Sequence, residues 1–220
     1  MTEHNFYRRR LPHWHPPNAT FFVTFRLEGS LPKSVIQLFQ EEYEQAKRIL
    51  HSYPPEQHDP KAYDAYRKAY ARFERALGKA NGPRWLAEPQ IAEIVQNELH
   101  ALHPRYYHLL AYCLMPNHLH LLVDMQDIPA PPPRKDGVSY TALTYALWLL
   151  KGRTGHACQK LLGKPGRFWS RESYDHVVRN DREFKRILSY IVNNPVKAGL
   201  AKRWVDWPYT FVEQAYREML

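Results

Sequence analysis

Residues 111–123 read AYCLMPNHLHLLV, two apolar runs on either side of a Pro-Asn turn, and they predict a β-hairpin. Side chains along a strand point alternately to its two faces. His118 and His120 therefore project from the same face of the second strand, while the leucines beside them fill the opposite face. Two imidazoles side by side on one strand can supply two of the ligands of a metal site. The hairpin thus predicts both the centre of a sheet and a candidate metal site.

The sequence around the hairpin predicts the elements that complete the fold. Residues 20–27 (TFFVTFRL) are rich in β-forming side chains and predict a first strand, and residues 174–178 predict a last one. Helices are predicted at 34–50, 59–77, 88–103 and 140–151. A capping box of Asn180 and Glu183 begins a final helix that carries Tyr190. In this order the elements indicate an α+β fold with a βαββαβ core, a mainly antiparallel sheet and helices on one face.

The length of 220 residues predicts one domain over 1–220, with a helical insertion at about 51–83 and a flexible proline-rich loop at about 126–138. Within the insertion an apolar stripe repeats at spacings of three and four. Its members are Tyr63, Tyr66, Tyr70, Phe73 and Leu77. Such a stripe is typical of helix packing and only rarely of base stacking.

Composition and charge restrict the partners. No apolar run approaches the roughly 20 residues that span a bilayer, so no membrane partner is expected. The two cysteines lie in unrelated contexts, which indicates a reducing compartment and a cytoplasmic protein. Between Lys151 and Arg203 there are 13 Lys and Arg but only 4 Asp and Glu, while the rest of the chain is balanced. This basic segment contains several aromatic residues and favours a polyanion-binding face over an ordinary solvated surface.

The helix near the C-terminus adds candidate catalytic groups. Tyr190 and Asn194 are four residues apart and share a helix face, although Pro195 is expected to interrupt the helix. Asn194 would add a carbonyl oxygen to His118 and His120, a donor set that suits Mn²⁺, Zn²⁺ or Mg²⁺. Tyr190 would then attack a phosphate, and a covalent phosphotyrosine would conserve the energy of the broken bond. These residues predict a metal-dependent enzyme that cuts a nucleic-acid backbone. A zinc deaminase is excluded, because the glutamate and paired cysteines of that motif are missing.

At this point the motifs resemble a known family. YCLMPNHLHLLV resembles the histidine–hydrophobic–histidine motif of the IS200-like, single-tyrosine HUH transposases. YIVNNPVKAGL, followed by Asp206-Trp207-Pro208, resembles their REP-associated branch, and the similarity extends from about Tyr106 to Pro208. The resemblance implies a ferredoxin-like fold, dependence on Mg²⁺ or Mn²⁺, and cleavage of single-stranded DNA beside a hairpin through a 5′-phosphotyrosine.

The resemblance also implies residue roles and partners. His118 and His120 would be metal ligands and Tyr190 the nucleophile, and Asn194 falls where the REP-associated branch has asparagine. The protein would act as a monomer or homodimer near the nucleoid. An N-terminal arm is expected either to contact bases beside the hairpin or to be a solubilising tail; its candidates are Arg8, Arg9, Arg10 and Trp14. Candidates for phosphate contact are Arg153, Lys164, Arg167, Arg171 and Arg179.

Two other functions remain open from the sequence. One is a catalytically silent protein that binds hairpin DNA, although the intact set of two histidines, tyrosine and asparagine argues against loss of catalysis. The other is a hydrolytic or RNA-directed metal nuclease, in which Tyr190 would merely pack. Formation of a covalent protein–DNA adduct distinguishes the transposase from both.

Overall fold

A computed structural model describes residues 6–8, 12–51, 60–133, 137 and 139–220. Arg9 and Arg10 lie outside these residues, and so do the side chains of Arg8 and Trp14. The elements in chain order are β1 Phe6–Arg8, β2 Pro12–Trp14, β3 Thr20–Leu27, α1 Lys33–His51, α2 Pro60–Lys79, α3 Pro89–Ala101, β4 His108–Met115, β5 His118–Asp124, α4 Ala142–Leu162, β6 Trp169–Val177, α5 Asp181–Lys197 and β7 Thr210–Val212. Across the described part of the chain, the helices all fall short of the length and apolarity needed to cross a membrane.

A five-stranded antiparallel sheet in the order β6-β3-β5-β4-β7 organises the molecule. Strands β4 and β5 form the predicted hairpin, and β3 pairs with β5 on its other side, so β5 is central. The predicted α+β fold is therefore confirmed: β3, the helices that follow it, β4, β5, α4 and β6 make the βαββαβ core. β1 and β2 pair separately in the N-terminal arm.

Helices cover both faces of the sheet, so the expectation of helices on one face is wrong. β3 is buried along nearly its whole length, because neighbouring apolar residues such as Phe21 and Phe22 enter opposite cores. One core packs the sheet against α3 and α4. The other packs it against α1, α2 and α5, and the side chains of His118 and His120 lie on this second face.

Helix α4 continues eleven residues beyond its predicted end at Lys151, so the predicted C-terminal bound of this helix is wrong. Packing offsets the low helix propensity of Gly152 and Gly155. Thr154 is buried on the inner face of the helix, where its hydroxyl accepts a 2.9 Å hydrogen bond from the Trp169 indole. The same hydrogen bond holds Trp169 against α4 at the start of β6, and this strand begins five residues before the predicted one.

Gly82 lies between α2 and α3, where the chain passes against the turn that follows β3. A Cβ at this position would come within 2.6 Å of the Gly29 carbonyl oxygen and 2.7 Å of Ser30 Cα. Because both are backbone atoms, the two segments would have to separate. We expect Gly82→Ala to lower the free energy of unfolding by about 1–3 kcal/mol, measured by urea denaturation.

Gly78→Ala is the matched control for this prediction. A Cβ at Gly78 meets nothing within 4 Å, and alanine favours the α2 helix by up to about 1 kcal/mol. Equal stability of the two variants would contradict the close approach at Gly82.

Candidate active site

His118 and His120 lie at the start of β5, on the face covered by α2 and α5. Their side chains project together as the strand period predicts, and their Nε2 atoms are 3.1 Å apart. Both residues are buried, with 2% and 0% of their surface exposed. Two ring nitrogens this close repel each other unless a proton or cation lies between or beside them.

Hydrogen bonds at the opposite ring nitrogens fix the orientation of the two imidazoles. Asn117 Oδ1 lies 2.7 Å from His118 Nδ1, and Asn117 is itself held by the Leu77 carbonyl of α2. Thr24 Oγ1, on the neighbouring strand β3, lies 2.8 Å from His120 Nδ1. With Nδ1 engaged in this way, both Nε2 atoms face the interior of the cluster, which is the orientation that a hydrogen bond at Nδ1 usually gives a metal-binding histidine.

Helix α5 brings Tyr190 and Asn194 to the same cluster. The ring of Tyr190 meets that of His120 edge-on at 5.4 Å, and Asn194 Nδ2 lies 3.0 Å from His120 Nε2. The helix runs through Pro195 to Lys197, so the expected interruption is wrong. Proline is tolerated there because it removes only one hydrogen bond in the last turn, to the Ile191 carbonyl.

The start of α5 is anchored to the edge strand β6. Asn180 Oδ1 accepts the Glu183 amide hydrogen at 2.9 Å, as the predicted N-cap requires. The buried Glu183 carboxylate reaches back to the Arg179 amide and to His176 Nε2, 3.0 Å away on β6. This anchoring fixes the position of Tyr190 two turns further along the helix.

Glu74 of α2 completes the cluster, and the sequence analysis missed it. Its Oε2 atom accepts a 2.7 Å hydrogen bond from the Tyr190 hydroxyl and lies 3.2 Å from His120 Nε2 and 3.7 Å from His118 Nε2. The available signal was its spacing: Glu74 follows Tyr70 by four and precedes Leu77 by three, which places an acid within the apolar stripe of the insertion. An acid on a buried helix face requires a partner.

Burial and mutual contact determine the charge states of the cluster. Burial lowers the pKa of His118 to about 3, against the opposing charge of Glu74, so this imidazole is neutral. Burial alone would raise the pKa of Glu74, but the charge and hydrogen bond of His120, with smaller contributions from His118 and Tyr190, lower it. Burial, and then the neighbouring Glu74 carboxylate, raise the pKa of Tyr190 well above its usual value. The cluster therefore combines an ionised carboxylate, a neutral imidazole and a protonated phenol.

The residues present fit a divalent metal ion. Glu74, His118 and His120 each offer one ligand atom, and these three atoms all lie within 4.8 Å of one another. Among the described residues, this is the group of His, Cys, Asp or Glu side chains that is close enough to hold one ion. Their separations of 3.1–3.7 Å allow one ion about 2.1 Å from each atom. Glu74 Oε1 is also buried without a hydrogen-bond partner, a condition that a cation would relieve.

The five candidates for phosphate contact lie away from this cluster. Arg153 forms a 2.9 Å ion pair with Glu98 of α3, and the Lys164 ammonium lies 4.9 Å from the centre of the Trp85 ring. Arg167 and Arg171 border a cavity between α4 and β6. Arg179 is exposed just before α5.

Comparison with known proteins gives relatives over about half of the chain. No family model matches it. A protein of Haemophilus influenzae, provisionally named a REP-associated tyrosine transposase, is 26% identical over 109 residues, which cover 47% of this chain and 58% of that protein. The REP-associated tyrosine transposase of Escherichia coli K12 is 30% identical over 108 residues, which cover 48% of this chain and 54% of the relative. The matches thus span little more than half the length of these relatives.

A structural comparison extends over the whole chain. The structure of a REP-associated tyrosine transposase bound to a REP hairpin matches all of this chain and 88% of that one, with a TM-score of 0.54 and 18% identity. At this identity the match establishes the fold. The resemblance found in the sequence motifs is therefore confirmed: this chain is similar to the REP-associated tyrosine transposases, in sequence over about half of its length and in fold.

Proposed function

We propose that this chain is a metal-dependent tyrosine transposase that cuts and rejoins single-stranded DNA beside hairpins such as REP-like palindromes. The observation that carries the proposal is the convergence of a nucleophile and a ligand set on one atom. Glu74 Oε2 accepts the hydrogen of the Tyr190 hydroxyl and is also within 3.7 Å of both histidine Nε2 atoms. A tyrosine that merely packs has no need for a carboxylate shared with two histidines.

His118 and His120 would hold Mg²⁺ or Mn²⁺, with Glu74 or Asn194 as the third ligand. A divalent ion bound there supplies a Lewis acid that polarises an oxygen of the scissile phosphate. The histidines contribute neutral nitrogen ligands already oriented by Asn117 and Thr24. Imidazole nitrogens suit Zn²⁺, and carboxylate and amide oxygens suit Mn²⁺ and Mg²⁺, so this mixed ligand set accepts Mn²⁺ or Mg²⁺ without excluding Zn²⁺.

Tyr190 would attack the phosphorus of the bound strand through its Oη atom. A new Oη–P bond joins the protein to the 5′ phosphate, the P–O bond to the preceding nucleotide breaks, and a 3′ hydroxyl leaves. The 2.7 Å hydrogen bond to Glu74 Oε2 orients the phenol; its proton leaves Oη as the Oη–P bond forms, and the leaving 3′ oxygen takes up a proton. Attack by another 3′ hydroxyl on the phosphotyrosine reverses these steps and rejoins the strand without ATP.

DNA binding would use the basic C-terminal quarter of the chain, with Arg153, Lys164, Arg167, Arg171 and Arg179 as phosphate contacts. Arg8, Arg9, Arg10 and Trp14 of the N-terminal arm would contact bases beside the hairpin. We further propose that the protein acts as a monomer or homodimer in the cytoplasm, associated with the nucleoid. Phosphate contacts of this kind give affinity without sequence preference.

The experiment that tests the function looks for the covalent intermediate. Single-stranded oligonucleotides that form palindromic hairpins are incubated with the protein and Mn²⁺ and then separated on a denaturing gel. We expect a protein–DNA adduct that requires the metal and is lost when EDTA is added first. An unfolded oligonucleotide of the same composition is the control, and we expect it to form much less adduct.

The other two functions give different results in the same experiment. Tight hairpin binding without an adduct in Mn²⁺ or Mg²⁺ would indicate a silent binding protein. Strand cleavage without any adduct would indicate a hydrolytic nuclease. Either result would refute the proposed mechanism.

A further inference from the structure

A second candidate site lies on the sheet face opposite the histidines. A cavity of about 540 Å³ lies between α4 and β6, which is an edge strand of the sheet. We call this cavity the α4–β6 groove. Side chains of β6 alternate between the two faces of the sheet: Tyr174 packs on Phe22 in the core that adjoins the histidines, while Ser173 and Asp175 border the groove. The groove and the candidate active site therefore lie on opposite faces of the sheet.

Two glycines keep the groove open on the helix side. Gly152 and Gly155 are three residues apart and share the face of α4 that borders it. A Cβ at Gly152 would meet nothing within 4 Å, and one at Gly155 would only touch Phe168 and Trp169 at ordinary distances. Because these two positions carry no side chain, they leave part of the groove unfilled. The groove volume of about 540 Å³ lies within the range of ligand-binding sites.

An exposed aromatic ring stands at the groove. Trp148 has 53% of its surface exposed. Among the described residues, it is the one aromatic side chain in the set of large apolar side chains that are exposed. Its ring is stacked on Tyr145 at 5.7 Å and 18°, and on Tyr140 at 6.4 Å and 21°. These ring contacts hold Trp148 in place while about half of its surface remains in solvent. A held and exposed aromatic ring is what base stacking on single-stranded nucleic acid uses.

The charges around the groove favour an anion. Arg167 and Arg171 are exposed on its border, and Lys151 lies beside them with hydrogen bonds to the Arg171 carbonyl and Ser173. Of the two acids on its wall, Asp175 is buried and faces His15 at 3.1 Å, and Glu172 is half-buried with its Oε2 atom shielded from solvent. The exposed charged residues named here are thus the two arginines, and guanidinium forms bidentate contacts with phosphate.

We propose that the α4–β6 groove binds an unpaired segment of the DNA substrate, with a base on Trp148 and backbone phosphates on Arg167 and Arg171. The proposal rests on the proposed function for the identity of the polyanion as DNA. It assigns to this groove the unpaired DNA that continues from the strand held at Tyr190, on the other side of β6.

The test measures fluorescence anisotropy with a labelled hairpin that either carries or lacks an unpaired flank. Trp148→Ala should weaken binding of the flanked hairpin about tenfold, in the range of one lost base–aromatic stack. It should leave the flankless hairpin unchanged. The double variant Arg167→Ala, Arg171→Ala should reduce the slope of log affinity against log salt by about 1.4, the value for two phosphates of a single strand.

Matched controls come from the same helix outside the groove. Leu161→Ala removes another exposed apolar side chain, 49% exposed, and Lys160→Ala removes another exposed charge. We expect both to bind the flanked hairpin as the parent protein does. Thermal melting confirms that each variant is folded, and photocrosslinking of a 5-iodouracil flank to the parent protein should label a peptide that contains Trp148.

The outcomes separate this proposal from the function on which it rests. Equal affinity of Trp148→Ala and the parent protein for the flanked hairpin, with adduct still formed, overturns the groove alone. Loss of flank binding in a protein that forms no adduct supports the groove and refutes the transposase chemistry. Equal losses for flanked and flankless hairpins, or tighter binding of an RNA flank than of the DNA flank, also overturn the proposal.

Discussion

Tyr190→Phe is expected to abolish the covalent adduct and to reduce strand cleavage at least about a thousandfold, because it removes the attacking oxygen and nothing else. The phenyl ring can keep its edge-on contacts with Phe22 and His120, at 5.9 Å and 5.4 Å. The variant loses the 2.7 Å hydrogen bond of the hydroxyl to Glu74 and its weaker contacts with the Tyr70 and Asn194 side chains. The measurement is single-turnover cleavage of a labelled hairpin in Mn²⁺, with adduct and free product resolved on a denaturing gel.

The control for this prediction is another partly buried tyrosine. Tyr216→Phe removes a hydroxyl from a ring that packs on Phe184 of α5 at 5.0 Å, outside the cluster. We expect it to cleave at the parent rate, and both variants should bind the hairpin with unchanged affinity. Cleavage that survives in Tyr190→Phe would mean that water, and not the tyrosine, is the nucleophile.

Glu74→Gln is expected to weaken Mn²⁺ binding about 10- to 100-fold, measured by isothermal titration or by the electron paramagnetic resonance of free Mn²⁺, without DNA. The change keeps the size of the side chain and an oxygen that can accept the Tyr190 hydroxyl, but it removes the negative charge of the cluster. Asn194→Ala should have a smaller effect, because the amide Nδ2 faces His120. Binding without DNA makes the result independent of the cleavage activity.

Glu93→Gln, at an exposed position on α3, is the matched control and should bind Mn²⁺ as the parent protein does. Parent-like affinity in Glu74→Gln, together with a large loss in Asn194→Ala, would show instead that the asparagine is the third ligand. If the parent protein itself binds no Mn²⁺, the metal dependence is wrong as a whole.

The hairpin and its histidines could be predicted because a strand has a fixed period of two. Leu119, between His118 and His120, faces the opposite core, and the register places His120 beside Thr24 of the first strand. The proximity of Tyr190 and Asn194 followed from helix spacing for the same reason. Periodicity states which side chains share a face of one element, so it gave the histidine pair on β5 and the Tyr190–Asn194 pair on α5, but the contact between the two pairs depends on how the helix packs on the sheet.

Glu74 could not be placed in this way, because it joins the cluster through the packing of one helix on another and on the sheet. Phe39 of α1 stacks on Phe73 at 4.1 Å, and Tyr70 reaches Thr24 with a 2.8 Å hydrogen bond. These contacts fix the rotation of α2 and with it the direction of the carboxylate. The length of α4 was missed for a related reason, since the Trp169–Thr154 contact that supports it connects residues of different elements.

The central position of β5 determines how the candidate active site can open. Its backbone is hydrogen-bonded to β3 on one side and β4 on the other, so its amide hydrogens exchange with solvent only when the sheet itself comes apart. Glu74 is instead carried by a helix that side-chain contacts attach to the sheet. The position of the histidine pair is therefore set by the backbone of the sheet, whereas that of the carboxylate is set by side-chain packing, so local opening of α2 would separate Glu74 from the histidines without opening the sheet.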